Sequence, residues 1–135
     1  MTDPSGLRTL AAQMRLMLER DRQAPSQARA AVREFCEERK LGASAAATLT
    51  LLVSELVSNA VRHSDASPAS AILLSVCMRE RGELCVEVTD RGSGFTPAPL
   101  DPVAGAGGYG LYLVDTHARR WGVDHEGGTR VWFEL

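Results

Sequence analysis

The chain has 135 residues, of which 44% are hydrophobic and 24% are charged, so it is long enough for one domain with its own core. Its formal net charge of −2 argues against a nucleic-acid-binding module, which usually carries a strong basic excess. It has no run of about 18 apolar residues and no apolar N-terminal stretch. We therefore expect a single domain over residues 1–135, in the cytoplasm, that contacts neither nucleic acid nor membrane directly.

The first half of the chain predicts a strand followed by two helices. Alternating apolar residues within 10–19 favour a first strand or an ordered arm. Apolar residues at helical spacing predict a helix over Ser26–Arg39, and Gly42 is suited to a left-handed cap after it. A longer amphipathic helix is expected over Ser44–His63.

The second half predicts two pairs of strands and one helix. The strands are expected at residues 71–79, 84–89, 121–125 and 129–135. A loop rich in glycine and proline covers residues 90–108, and a helix over Tyr109–Arg120 follows it. The order β-α-α-β-β-α-β-β, with helices separated from runs of antiparallel strands, predicts an α+β two-layer sandwich.

The three cysteines are spread along the chain rather than grouped. An odd number of cysteines without close spacing predicts neither a disulfide framework nor a zinc site. We expect Cys36, Cys77 and Cys85 to be free thiols that behave as small buried hydrophobic side chains.

Three polar residues form a stripe on the second predicted helix. Glu55, Asn59 and His63 have the spacing i, i+4, i+8, which places them on one side of a helix, beside its apolar face. An Asn oxygen can bind a hard cation such as Mg²⁺, and a Glu can orient or deprotonate a nucleophile. Alternatively the three are ordinary solvated helix residues, which is the more frequent explanation when such a stripe stands alone.

A second block, Asp90-Arg91-Gly92-Ser93-Gly94-Phe95, follows directly after a predicted strand. An Asp carboxylate at a strand end can accept a hydrogen bond from the exocyclic amine of a base. The glycines allow the backbone to turn and to approach a ligand closely. The same residue types also suit an ordinary turn that ends a strand.

A third block, Gly105-Ala106-Gly107-Gly108-Tyr109-Gly110-Leu111, stands where a loop becomes a helix. Backbone N–H groups at such a helix start form a natural site for anions and phosphates. The block is neither a Walker A loop nor a dinucleotide fingerprint. A flexible linker is the alternative, although a linker does not usually run straight into an amphipathic helix.

These blocks, in this order and with Gly128-Thr129 before the last strand, resemble the ATPase superfamily of gyrase, heat-shock chaperones, histidine kinases and mismatch-repair proteins. The small size and the Ser-Glu-Leu-Val-Ser-Asn-Ala order of residues 54–60 are most similar to bacterial anti-sigma-factor serine kinases. The resemblance implies a histidine-kinase-like ATPase (Bergerat) fold. In that fold a mixed, mostly antiparallel sheet carries three main helices on one face.

The resemblance also implies a role for each matching residue. Asn59 would coordinate the Mg²⁺ that bridges the phosphates of ATP, and Glu55 would be the general base for a serine hydroxyl of a partner protein. Asp90 would bind the adenine amino group with support from Thr129. The remaining nucleotide-binding positions, in the adenine pocket and the phosphate-covering lid with its hinge, would be Gly92, Gly94, Gly105, Gly107, Gly108, Gly110 and Leu111.

The function implied by the resemblance is that of a serine/threonine protein kinase that binds ATP and Mg²⁺, sequesters a sigma factor and phosphorylates a serine of an anti-sigma factor antagonist. One alternative is an ATP-binding adaptor that regulates its partner by contact, without phosphorylation. Another is a histidine-kinase catalytic domain acting on a histidine of another protein.

The lid segment between Phe95 and Gly105 is short and proline-rich, which departs from the family pattern. A homodimer through the strand at Met14–Leu18 is a further expectation, because the family pairs there and exposed strand edges favour pairing.

Overall fold

The computed structural model describes residues 10–63, 71–90, 109–125 and 128–135. Within these parts of the chain, the elements follow one another in the predicted order. They are β1 (Leu10–Leu18), α1 (Ala24–Glu38), α2 (Ala43–His63), β2 (Ile72–Arg79), β3 (Leu84–Asp90), α3 (Tyr109–His117), β4 (Arg120–Asp124) and β5 (Thr129–Glu134).

The strands form one five-stranded sheet in the order β1-β2-β3-β5-β4. Every pairing between the described strands is antiparallel. β1 lies at one edge beside β2, although α1 and α2 separate these two strands in the sequence. The predicted α+β sandwich with a mostly antiparallel sheet is therefore confirmed.

The three helices cover one face of the sheet, and apolar side chains from both layers form one core. In β3 the residues alternate between buried and partly exposed from end to end, as expected for a strand with one covered face. α2 is the central helix and packs against α1, α3, β2 and β3. The largest fully buried side chains are Phe133, Leu49, Leu52, Leu56, Ile72 and Leu74. Each such side chain stabilises the fold by roughly 1.5–3 kcal/mol.

The hydropathy of α2 is explained by its place in this core. Residues 43–62 have a mean hydropathy of 1.3, which on length and composition alone would suffice to cross a membrane. One side of the helix, however, is buried against the other elements, while residues such as Leu51 on the other side are exposed. This amphipathic pattern is typical of a core helix in a globular domain.

The end of α1 differs from the prediction. The residue with a left-handed backbone is Lys40, with φ of 54°, and not Gly42. The N–H of Leu41 donates to the carbonyl of Cys36 at 3.0 Å, and the N–H of Lys40 donates to the carbonyl of Glu37 at 3.1 Å. These two bonds are those of a Schellman cap. The prediction for Gly42 was wrong because the chain reverses two residues earlier than the glycine suggested.

The boundary between α3 and β4 also differs from the prediction. The helix ends at His117 rather than at Arg120, and Arg120 is the first residue of β4. The reason lies in the sheet, since the N–H of Arg119 already donates to the carbonyl of Glu134 in β5 at 2.7 Å. The pairing with β5 therefore stops the helix.

Candidate functional site

Two buried polar residues lie side by side where β3 ends and β5 begins. Asp90 is the last residue of β3, and in the sheet register it is opposite Thr129, the first residue of β5. Neither residue is exposed to solvent at all. Buried polar side chains are costly unless they have partners, so a neighbouring pair at strand ends is a candidate site rather than a packing feature.

An arginine from the N-terminal part of the chain, with a buried side chain, contacts Asp90. Nη2 of Arg20, which follows the end of β1, donates to Oδ1 of Asp90, and the two side chains are only 6% and 1% exposed. Nη1 of the same guanidinium donates to the backbone carbonyl of Ala60 in α2 at 2.7 Å. A carboxylate buried without a cation would cost several kcal/mol, so Arg20 offsets the burial of Asp90. It also joins β1, β3 and α2 at one point.

Arg20 was missed by the reasoning from the sequence. It lies 70 residues from Asp90 in the chain and within a run of charged residues that also contains Asp21 and Arg22. The one available signal was indirect, because a carboxylate at the end of a core strand requires a cation if it is buried. The sequence does not indicate which of its 15 Lys and Arg residues supplies it.

Asn59 lies next to the residue whose carbonyl accepts the Arg20 bond. Its side chain is 2% exposed, and its Oδ1 atom accepts no hydrogen bond from any residue in the described parts of the chain. A buried amide oxygen without a donor costs about 1–3 kcal/mol. Such an atom is a natural ligand for a cation or for a polar group of a small molecule.

Glu55 lies one helical turn before Asn59. Four residues of α-helix correspond to about 6 Å along the axis. Glu55 is partly exposed, whereas Asn59 is buried, so the part of the stripe from Glu55 to Asn59 runs from the protein surface into the interior, and the side chain of His63 lies outside the described part of the structure. Next to Glu55, the hydroxyl of Ser54 accepts a hydrogen bond from Arg29 at 2.7 Å, which joins α1 to this part of α2.

The structure thus brings Asn59, Asp90 and Thr129 to one end of the sheet, with Glu55 one turn away. As predicted, α3 begins at Tyr109, within the glycine-rich block, and Gly110 lies in its first turn. The side chain of Leu111 is 5% exposed and packs in the core. The predicted positions that lie outside the described residues are Gly92, Gly94, Gly105, Gly107 and Gly108.

The opposite end of the same strands holds a separate charge cluster. Glu134, the last residue of β5, is 8% exposed and is contacted by Arg79, Arg119 and Arg120 at 3.3 to 3.4 Å. The arginines compensate the negative charge of Glu134, and the group lies a strand length from Asp90. The cluster is therefore distinct from the candidate site.

Comparison with known proteins agrees with the fold. Residues 18–135 match the family model of the histidine kinase-like ATPase domain. No curated protein sequence matches the chain at a significant level.

Several solved structures resemble the chain, and two of them illustrate the likeness. The crystal structure of the RsbU and RsbW domains of Rv1364c from Mycobacterium tuberculosis aligns with a TM-score of 0.74 at 23% identity, over 92% of this chain and 32% of that chain. The chain thus spans about a third of the length of that relative. The SiaB–SiaC complex from Pseudomonas aeruginosa aligns with a TM-score of 0.63 at 11% identity, over 90% of this chain and 87% of that chain. At these identities the likeness establishes the fold alone.

Proposed function

This chain belongs to the histidine kinase-like ATPase domain family, and on that premise we propose that it binds ATP where α2 meets the end of β3 and the start of β5. The observation that carries the proposal is the group of buried polar side chains at this point, Asp90, Thr129 and Asn59. A fold stabilised only by packing would place apolar residues there, because burial of polar groups costs free energy.

Asp90 is the proposed acceptor for the adenine amino group. Its carboxylate is held by Arg20, which fixes the orientation of the group before the nucleotide arrives. A pre-oriented acceptor binds its donor without a further loss of side-chain freedom. Thr129 lies opposite Asp90 in the register and supports the same base, as the family resemblance implies.

Asn59 is the proposed protein ligand for Mg²⁺. Its buried Oδ1 atom fits a hard cation, which prefers oxygen ligands. In the described parts of the chain, no group of three His, Cys, Asp or Glu side chains could hold a metal ion. That agrees with the usual behaviour of Mg²⁺, which takes one or two protein ligands and completes its shell with phosphates and water. The metal, when bound, would neutralise charge on the phosphates.

We further propose that the chain is a serine/threonine protein kinase. In the transfer step, the hydroxyl oxygen of a partner serine forms a bond to the γ-phosphorus of ATP, the bond to the β-phosphate oxygen breaks, and ADP leaves. Glu55 would accept the hydroxyl proton. Its place at the outer end of the stripe, partly exposed, is where a partner protein could reach it.

The proposed partners are a sigma factor, which the chain would sequester in the cytoplasm, and an anti-sigma factor antagonist, which it would phosphorylate. The chain shares its fold with a structure that contains an RsbW domain and with a chain of the SiaB–SiaC complex. This similarity supports a role in protein–protein regulation. The short, proline-rich segment before Gly105 favours a second candidate, an ATP-binding adaptor that acts by contact alone.

Nucleotide binding can be tested by thermal unfolding with and without Mg-ATP. Any ligand that binds only the folded state stabilises it, by about 2.7 kcal/mol at a hundred times the Kd. We expect a rise in Tm for the wild-type protein and a smaller rise for Asp90→Asn, each measured against its own ligand-free melt. Glu55→Gln is the matched control, because it should keep the rise. A wild-type Tm that does not move with millimolar Mg-ATP would show that the site is wrongly assigned.

Kinase activity can be tested with radiolabelled ATP and a candidate antagonist protein. Label on a partner serine that is lost in Glu55→Gln, while the Mg-ATP shift in Tm remains, is the expected result. Binding of both ATP and partner without label would exclude the kinase and leave the adaptor. Acid-labile label on a partner histidine would identify a histidine kinase instead.

A further inference from the structure

Two of the three cysteines lie directly opposite each other in the sheet. Cys77 of β2 and Cys85 of β3 are partners in the antiparallel register, and both are partly exposed free thiols. The neighbouring residues Val76 and Val86 are fully buried in the core, so the two thiols lie on the face of the sheet that the helices leave uncovered. The expectation of buried, separate thiols therefore holds only for Cys36, which is 3% exposed in α1.

The two thiols interact and differ in acidity. A hydrogen bond from Cys85 is the main reason why the pKa of Cys77 is lowered to about 7, with burial opposing the shift and the charge of Arg79 supporting it. The pKa of Cys85 is raised, first by its hydrogen bond to Cys77 and then by burial. Cys77 is thus the thiolate and the nucleophile near neutral pH, and Cys85 retains its proton.

The charges that surround the pair come from three strands. Arg79 of β2 lowers the pKa of both thiols, while Glu87 of β3 raises that of Cys77 and Glu134 of β5 raises that of Cys85. On the β1 side, the residue opposite Cys77 is the uncharged Gln13. A guanidinium beside a thiol pair is the kind of setting in which cysteines become reactive.

We propose that Cys77 and Cys85 form a redox-sensitive dithiol, which peroxide converts into a cross-strand disulfide within the β2–β3 hairpin. The Cys77 thiolate attacks hydrogen peroxide, so an S–O bond forms, the O–O bond breaks and hydroxide leaves, which gives a sulfenic acid. The Cys85 sulfur then attacks the Cys77 sulfur, the S–O bond breaks, and the hydroxyl leaves as water with the Cys85 proton. Two thiols and one peroxide thus become one disulfide and two water molecules.

The sheet register holds the two cysteines within the Cα separation that a disulfide spans. Residues directly opposite in an antiparallel pair have Cα atoms about 4.5–5.5 Å apart, and disulfides span about 4.4–6.8 Å between Cα atoms. Both cysteines belong to one hairpin whose strands are already paired on either side of them. The disulfide would replace the two thiols on the face of the sheet that the helices leave uncovered. The opposite face, which packs against the helices, would be unchanged.

The direct test is oxidation of the full, folded chain with hydrogen peroxide, followed by alkylation and tryptic mass mapping. Cleavage after Arg79 and Arg81 places Cys77 and Cys85 in separate peptides, so the disulfide appears as a linked pair. We expect the link to join two cysteines of the same chain, with Cys36 still free for alkylation after unfolding. A linked pair that involves Cys36, or one that joins two chains, would overturn the proposal.

Single variants separate the two roles. In the Cys85→Ser variant, oxidation should stop at a sulfenic acid on Cys77, which a β-diketone probe traps. The Cys77→Ser variant should react with peroxide at least about tenfold more slowly, since the attacking thiolate is removed. Cys36→Ser is the matched control and should form the linked pair at the wild-type rate. Equal trapping at position 85 in Cys77→Ser would contradict the assignment of the nucleophile.

The pH profile is an independent readout. The rate of peroxide consumption should rise with pH, reach half of its maximum near pH 7, the pKa of Cys77, and level off about one pH unit above it. In concentrated urea, the pH dependence of this rate should be that of an ordinary thiol, with a pKa of about 8.5. Identical profiles for the folded and unfolded chains would show that the fold does not activate Cys77.

Discussion

Replacing Arg20 with methionine removes the cation that Asp90 contacts inside the protein. The two side chains are 6% and 1% exposed, so the contact is a buried ion pair rather than a surface one. Breaking such a pair by removal of one partner costs about 3–5 kcal/mol, because the remaining charge stays buried. In a domain of 135 residues, 1 kcal/mol shifts Tm by about 3–5 °C. We therefore expect Arg20→Met to lower Tm by about 10–20 °C.

The double variant Arg20→Met/Asp90→Asn separates this cause from a loss of packing. Asparagine removes the buried charge, so the double variant should be more stable than Arg20→Met by about 1–3 kcal/mol. Urea unfolding curves of the wild type, both single variants and the double variant give the coupling free energy. Arg22→Met is the matched control, since Arg22 is exposed on the same segment and should change stability by less than about 0.5 kcal/mol.

Two results would refute this reasoning. The first is an Arg20→Met protein within about 0.5 kcal/mol of the wild type, the range typical of surface substitutions. The second is a double variant whose destabilisation equals the sum of the two single effects, because independent sites are additive and an ion pair is not.

Three further substitutions test other features. Gly122→Ala would place a Cβ atom 2.8 Å from the ring of Trp132, so we expect a loss of about 1–3 kcal/mol in urea unfolding and a changed tryptophan emission spectrum. Lys40→Gly relieves a left-handed backbone at an exposed position and should raise the free energy of unfolding by about 1 kcal/mol in the same assay. Asn59→Leu should keep or raise ligand-free stability, because it removes an amide oxygen that lacks a donor among the described residues, yet it should abolish the Mg-ATP-dependent rise in Tm. A full Mg-ATP response in Asn59→Leu would exclude this residue as the metal ligand.

Much of the fold was predictable because its signals are local. Apolar alternation and turn residues located the described strands, and helical spacing located the described helices, with boundaries correct to within about three residues. The start of α3 at Tyr109 followed from the change, within the glycine-rich block, from glycines to an amphipathic sequence. The ends of α1 and α3 were less accurate, since the Lys40 cap and the pairing of Arg119 with β5 decide them.

The sequence by itself determined which residues could form the candidate site. Asn59 and Asp90 were identified through the order of the three blocks and the family resemblance that this order carries, since each block alone also fits an ordinary helix surface or turn. Only the tertiary structure decided what those partners are. The contact between Arg20 and Asp90 joins residues 70 positions apart, and the facing of Cys77 and Cys85 depends on the hairpin register. The register of a hairpin depends on the geometry of its turn, which the residue types did not specify. The contact of Arg20 depends on how distant elements pack, which no short stretch of sequence encodes.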